Sequence, residues 1–139
     1  MKLAIALIAP FLVACGPQTF ARLSSGENQT SLCRILSAPN DYSGKTVAVK
    51  ALFQSTPHGS LLFDNSCSGT FVTYTRADGF SAAPVVVETM ESRQRQKSSQ
   101  IFEIEIQGIF VVARAGQCLD SFCDQYGLRV SRLISAHPL

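Results

Sequence analysis

The amino-acid sequence predicts a mainly β domain: a five-stranded barrel with the element order β-β-β-α-β-β, preceded by a short N-terminal helix. Two segments, 46–55 and 101–113, alternate apolar and polar residues over enough length to form long strands. A helical pattern separates the third predicted strand from the fourth. The chain has 139 residues, a length that fits one domain and leaves little room for a second.

The first fourteen residues are typical of a signal peptide. Lys2 carries the only charged side chain before an apolar run at positions 3–14. Because a membrane-spanning helix needs about 20 apolar residues, this run is too short to cross a bilayer. A charged start, a short apolar centre and small residues near the end indicate an export signal, so we expect residues 1–14 to be removed.

The end of this segment, Leu12-Val13-Ala14-Cys15, resembles the lipobox of bacterial lipoproteins. The resemblance implies that the Cys15 thiol carries diacylglycerol, that cleavage occurs just before it, and that the new amino group is acylated. Several acyl chains together anchor a protein firmly. The alternative is an ordinary secretory signal in which Cys15 is incidental.

Gly16 stands where enteric lipoproteins retained at the inner membrane have Asp, so the resemblance implies sorting to the outer membrane. We therefore expect a protein of the bacterial cell envelope that is anchored in the outer membrane through Cys15 and faces the periplasm. Residues 15–29 are polar and low in β-branched side chains, and they are predicted to be a lipidated tether.

Four further cysteines belong to the exported domain, and an even number there favours two disulfides. Of the three pairings that four cysteines allow, we favour a long-range Cys33–Cys67 bond and a local Cys118–Cys123 bond. The alternative is a metal or redox carrier that uses these thiols. Zinc ribbons contain two close cysteine pairs and redox pairs are spaced Cys-x-x-Cys, and the sequence contains neither pattern.

The domain itself, residues 30–139, begins with a predicted helix. Residues 30–37 place Leu32, Ile35 and Leu36 on one side, and Thr30 or Ser31 is a suitable N-cap. The helix ends before Pro39 because the residue that precedes a proline avoids helical geometry. Turn residues follow at 40–44. The next strands are predicted at 46–55, 60–64 and 70–75, with a turn at 56–59 and a loop around Asp78-Gly79.

The second half of the domain contains the predicted internal helix and two strands. Pro84 suits a first helical turn, and the spacing of Val86, Val87 and Met90 predicts an amphipathic helix over 85–97, although the run 85–87 also suits a strand. In the strand at 101–113, Gly108 indicates a bend or bulge. A loop at 114–126 and a last strand at 127–135 complete the domain.

The element order resembles an OB-fold, a five-stranded barrel with a helix between strands three and four. The chain is also similar to a group of small uncharacterised bacterial lipoproteins of that fold. The similarity covers about 100 residues and includes Ile104-x-Ile106-x-Gly108, Tyr126-Gly127-Leu128, Cys67 after the second strand, and Pro39-x-x-Tyr42-x-Gly44-Lys45-x-Val47-x-Val49. Ala51 departs from the pattern, because many relatives have Gly there. The resemblance implies a fold and a compartment but no activity.

Charge and motifs restrict the function. Twelve Lys and Arg against ten Asp and Glu give a net charge of +2, which argues against nucleic-acid binding. The sequence contains no phosphate-binding loop, H-E-x-x-H motif or G-x-S-x-G motif. We therefore predict no catalytic residue, no metal ligand and no cofactor. Four acidic residues, Glu103, Glu105, Asp120 and Asp124, form pairs in sequence without a sign of acid–base chemistry.

Binding is the function that the sequence favours. OB barrels bind ligands across strands two and three, between the loops that join strands one to two and four to five. The predicted ligand-binding residues on this face are His58, Tyr74, Arg76, Arg114, Phe122 and Tyr126. We expect a non-enzymatic role with an envelope protein or glycan as partner. The lipid anchor is expected to attach the protein to the membrane. The alternatives are an envelope enzyme that uses the same face, or the metal or redox carrier described above.

Overall fold

The computed structural model describes residues 29–67, 69–97, 99–119 and 124–139. The predicted signal peptide, Cys15 and nearly all of the predicted tether lie outside these residues. Within them the chain forms six strands and three helices. In chain order these are β1 (Gln29–Ser31), α1 (Leu32–Ser37), α2 (Pro39–Tyr42), β2 (Thr46–Thr56), β3 (Gly59–Phe63), β4 (Val72–Ala82), α3 (Pro84–Gln96), β5 (Ile101–Val112) and β6 (Tyr126–Pro138).

The strands form one mixed sheet with the order β1-β2-β3-β4-β6-β5, so the predicted mainly β class is confirmed. An additional pairing joins β2 to β5, and it makes β2, β3, β4, β6 and β5 a near-closed ring, hereafter the ring. Neighbours in the ring are antiparallel except β4 and β6, which are parallel. The helix α3 connects β4 to β5, as predicted.

Alternation along β2 and β5 fills the interior of the ring. In β2, Val47, Val49, Ala51 and Phe53 are buried, as their period of two predicts. The same alternation along β5 buries a second row of side chains, which lies beside the first row on the same face of the sheet: Phe102, Ile104, Ile106 and Phe110. Because these two strands pair over nine positions, the two rows together form the centre of the hydrophobic core.

The N-terminal helix α1 contributes to this core and is confirmed over 32–37, whereas residues 30 and 31 of the predicted helix belong to β1. Ser31 is its N-cap and accepts a hydrogen bond from the Arg34 backbone N–H at 3.2 Å. Leu32 and Ile35 are fully buried, and Cys33 forms a disulfide with Cys67. The sequence did not predict β1, whose three residues pair in parallel with β2, nor the short helix α2, which occupies part of the expected turn at 40–44.

Two strands are longer than predicted. The third strand was expected to end at Thr75, but β4 continues to Ala82 through a register shift between Arg76 and Ser81. The expected loop at Asp78-Gly79 is therefore wrong: Gly79, with φ 75°, lies within an irregular part of the strand. The last strand extends to Pro138 rather than Ser135, because β6 stays paired with β5 over that length.

Gly108 lies at the predicted irregularity of β5. The pairing of β5 with β6 shifts register between Gln107 and Gly108, so the irregularity is confirmed, but the extra residue, Ser131, belongs to β6. A Cβ atom at Gly108 would meet the backbone carbonyl of Arg129 and lie 2.9 Å from the Cα of Val130. Glycine is therefore required here because β6 passes too close for a side chain.

Candidate functional site

A row of polar side chains crosses three strands of the ring near one of its ends. Ser55 on β2 is opposite Ser60 on β3, and Ser60 is opposite Tyr74 on β4. Arg76 follows two positions after Tyr74 and so belongs to the same side of β4. All four residues line one cleft of about 330 Å³ between the ring and α3, hereafter the helix cleft.

Tyr74 lies at the inner part of the helix cleft. Its ring packs edge-on against Phe53, with 5.1 Å between the centroids. Burial raises the pKa of the Tyr74 phenol above its ordinary value of 10.0, and the hydrogen bond and positive charge of Arg76 act in the opposite direction. At neutral pH the phenol is therefore protonated and can donate a hydrogen bond to a ligand.

Arg76 brings a positive charge to the helix cleft. Its guanidinium carbon is 4.8 Å from the centroid of the Phe80 ring, a distance suited to a cation–π contact. The two ion pairs among the described residues join Lys50 to Glu103 and Arg95 to Glu91, so neither includes Arg76. Its charge is thus available to an anionic group that enters the cleft.

The second wall of the helix cleft is one face of α3. Four residues line it at positions that share a helix face: Val87, Met90, Glu91 and Gln94. Met90 packs against the hydrophobic core, but none of the described residues of α3 is buried. The helix therefore covers this end of the ring without filling it, and the polar Glu91 and Gln94 face the space in between.

The six predicted ligand-binding residues fall in different places. Tyr74 and Arg76 share the helix cleft, and His58 lies in the exposed turn between β2 and β3. Arg114 and Tyr126 share a second pocket of about 500 Å³ at the other end of the ring, where β5 passes to β6. The Tyr126 ring is stacked on Phe110 at 6.1 Å between centroids. The remaining predicted residue, Phe122, lies outside the described residues.

Four polar residues of the helix cleft were not predicted as site residues: Ser55, Ser60, Glu91 and Gln94. For the helix, a signal was present in the sequence. Glu91 and Gln94 lie at positions i+4 and i+7 from Val87, and this spacing places them on the same face as Val87 and Met90. From the sequence alone, the polar run 91–97 is expected to be the solvent-exposed end of the helix.

The predicted Cys33–Cys67 disulfide is confirmed, and the two Cα atoms are 5.5 Å apart. Cys118 is also disulfide-bonded, whereas Cys123, its predicted partner, lies outside the described residues. A disulfide sulfur is not a thiolate, so Cys33 and Cys67 in this state do not provide metal ligands. Among the described residues no group of three or more His, Cys, Asp or Glu side chains is arranged to hold a metal ion.

Comparison of this chain with protein-family models, with curated proteins and with solved structures found no match. In the part of the chain that the structure describes, no helix combines the length and hydropathy needed to span a bilayer. The resemblances to lipobox sequences and to OB-domain lipoproteins therefore depend on the residues quoted for them above.

Proposed function

We propose that this chain is a lipid-anchored protein of the bacterial cell envelope whose OB-fold-like domain binds an envelope ligand without catalysis. Three observations support the location and the fold. The segment Leu12-Val13-Ala14-Cys15 favours lipidation of Cys15. The chain contains a Cys33–Cys67 disulfide, and disulfides are more frequent in proteins of oxidising compartments than in cytosolic proteins. The order of the ring strands, with a helix between the third and the fourth, is consistent with an OB-fold.

The single observation that carries the binding role is the incomplete closure of the ring by α3. A helix that only completes a core buries an apolar stripe. Here Val86 and Met90 pack against the core only in part, and no described residue of α3 is fully buried. Glu91 and Gln94 face a cleft that also holds Arg76, which belongs to neither ion pair of the described residues. A concave site with apolar walls and a few convergent polar groups is typical of ligand binding.

A thermal-shift screen tests this proposal. The full chain, extracted in a non-ionic detergent, is heated with a panel of envelope compounds that includes amino acids, short peptides, sugars and fatty acids. We expect at least one compound to raise the melting temperature, because a ligand that binds the folded state stabilises it. The increase should disappear in Arg76→Gln.

The matched control is Arg132→Gln, which removes an exposed arginine of β6 that does not line the helix cleft. This variant should respond to the compound as the wild type does. If a compound no longer raises the melting temperature of either Arg76→Gln or Arg132→Gln, its binding depends on the overall positive charge and not on the helix cleft. That result, or a panel in which every compound leaves the melting temperature unchanged, would contradict the proposal.

A further inference from the structure

The helix cleft contains two opposite charges on opposite walls. Arg76 belongs to β4 and Glu91 to α3, and the ion pairs among the described residues do not join them to each other. The partner of Glu91 is Arg95 on its own helix, at 3.9 Å, with both side chains more than half exposed. Such a pair contributes little. The cleft therefore offers one positive and one negative group to a ligand between them.

Hydrogen-bonding groups extend each charged end. Beside Arg76, the protonated Tyr74 phenol and the Ser60 hydroxyl are donors suited to a carboxylate. Beside Glu91, one helical turn away, Gln94 offers an amide oxygen that can accept a hydrogen bond from an ammonium group. A phosphate group fits this arrangement less well than a carboxylate, because its charge of about −1.5 to −2 would be repelled by Glu91.

The helix cleft is small, and its lining is partly apolar. Phe53, Met90 and Leu133 line it, and its volume is about 330 Å³. Small-molecule sites are typically clefts of about 300–1,000 Å³, so this cleft lies at the small end of that range. A single amino acid of the size of leucine fits such a volume.

We infer that the helix cleft binds a free apolar α-amino acid as its zwitterion, with the carboxylate at Arg76 and the ammonium group at Glu91. The inference rests on the proposed function, because it takes the helix cleft to be the ligand site and adds the chemistry of the ligand. The apolar side chain of the amino acid packs against Met90 and Leu133.

Isothermal titration calorimetry of the full chain in detergent tests the inference with three matched probes. Racemic leucine carries both charges, leucinamide lacks the carboxylate, and 4-methylpentanoate lacks the amino group. We expect leucine to bind at least tenfold more tightly than either analogue. Arg76→Gln should lower the affinity for leucine about tenfold and leave the affinity for leucinamide unchanged. Glu91→Gln should lower the affinity for leucine and leave the affinity for 4-methylpentanoate unchanged.

Two control variants change exposed or partly exposed charges outside the helix cleft, Arg132→Gln and Glu105→Gln, and both should bind leucine as the wild type does. Far-UV circular dichroism establishes that each variant is folded. Equal affinity for the three probes, or leucine binding that neither cleft variant changes, would overturn the inference.

The outcomes also separate the inference from the proposed function. If leucine fails to bind but another compound stabilises the wild type and not Arg76→Gln, the zwitterion inference is wrong and the binding role stands. If no compound acts through Arg76, both are wrong.

Discussion

Removal of the Cys33–Cys67 disulfide should lower the free energy of unfolding by about 4 kcal/mol. The bond joins α1 to the segment after β3 across a sequence separation of 34 residues. Without it, the unfolded chain gains the entropy of that loop, which the chain-entropy relation converts to about 3.8 kcal/mol at 25 °C. The double variant Cys33→Ala with Cys67→Ala should therefore melt roughly 15 °C below the wild type, at about 4 °C for each kcal/mol.

The measurement is urea unfolding followed by far-UV circular dichroism, with linear extrapolation to water. A reducing agent provides the matched control: it breaks the bond in the wild type, so the reduced wild type and the reduced variant should unfold at the same urea concentration. Leu32 and Ile35 keep α1 packed against the core in either case, so one cooperative transition is expected. If, under oxidising conditions, the free energy of unfolding of the double variant is less than about 1 kcal/mol below that of the wild type, the loop-entropy reasoning is refuted.

Four further predictions concern the core, a backbone contact, a phenol and the anchor. Ile106→Ala should cost about 2–5 kcal/mol because Ile106 is fully buried, whereas Ile109→Ala on the same strand, 43% exposed, should cost much less; urea unfolding compares them. Gly108→Ala should lower the melting temperature, because its Cβ would meet the β6 backbone; an unchanged value would argue against the close approach. The raised pKa of Tyr74 stabilises the folded state fully below pH 10.0, and this contribution should be lost as pH rises through the folded-state pKa. In an absorbance titration, Tyr74→Phe should remove a phenol that ionises above pH 10.0. Cys15→Ser should abolish palmitate incorporation and membrane retention; normal labelling of this variant would contradict the anchor.

The elements that the sequence predicts best are those whose pattern is complete within one segment. The strands β2 and β5 have apolar residues at every second position over most of their length, so their buried faces follow from a period of two. The helix α3 begins at Pro84, close to its predicted start, because proline suits a first helical turn.

The elements that the sequence did not predict depend on contacts between distant segments. The three residues of β1 are a strand only because β2 has a free edge beside them. The strand β4 continues past Gly79, a turn signal in isolation, because β6 pairs with it on both sides of the irregular part. Pairing with a distant strand is thus what overrides the local preference for a loop.

In the candidate site, too, some residues could be predicted from the sequence of one segment and others depend on how distant segments pack. Tyr74 and Arg76 could be selected from the sequence because an aromatic residue and an arginine on one strand are typical of binding faces. Glu91 was not selected, although its spacing places it on the helix face of Val87 and Met90, because a polar residue on an amphipathic helix is first assigned to solvent. Its position facing the ring results from the way α3 crosses the end of the sheet, which no periodicity within the helix specifies.

The position of β1 relates the helix cleft to the proposed anchor. Gln29 pairs with Ala48 near the start of β2, and β1 runs parallel to that strand. The start of β2 lies at the same end of the ring as the loop between β5 and β6, because Thr46 is opposite Ile109. The helix α3 lies at the other end, where Gln54 is opposite Ile101. A chain that leads from a lipid at Cys15 would thus reach the domain at the end away from the helix cleft. That entry point would suit a ligand that reaches the helix cleft from the periplasm rather than from the bilayer.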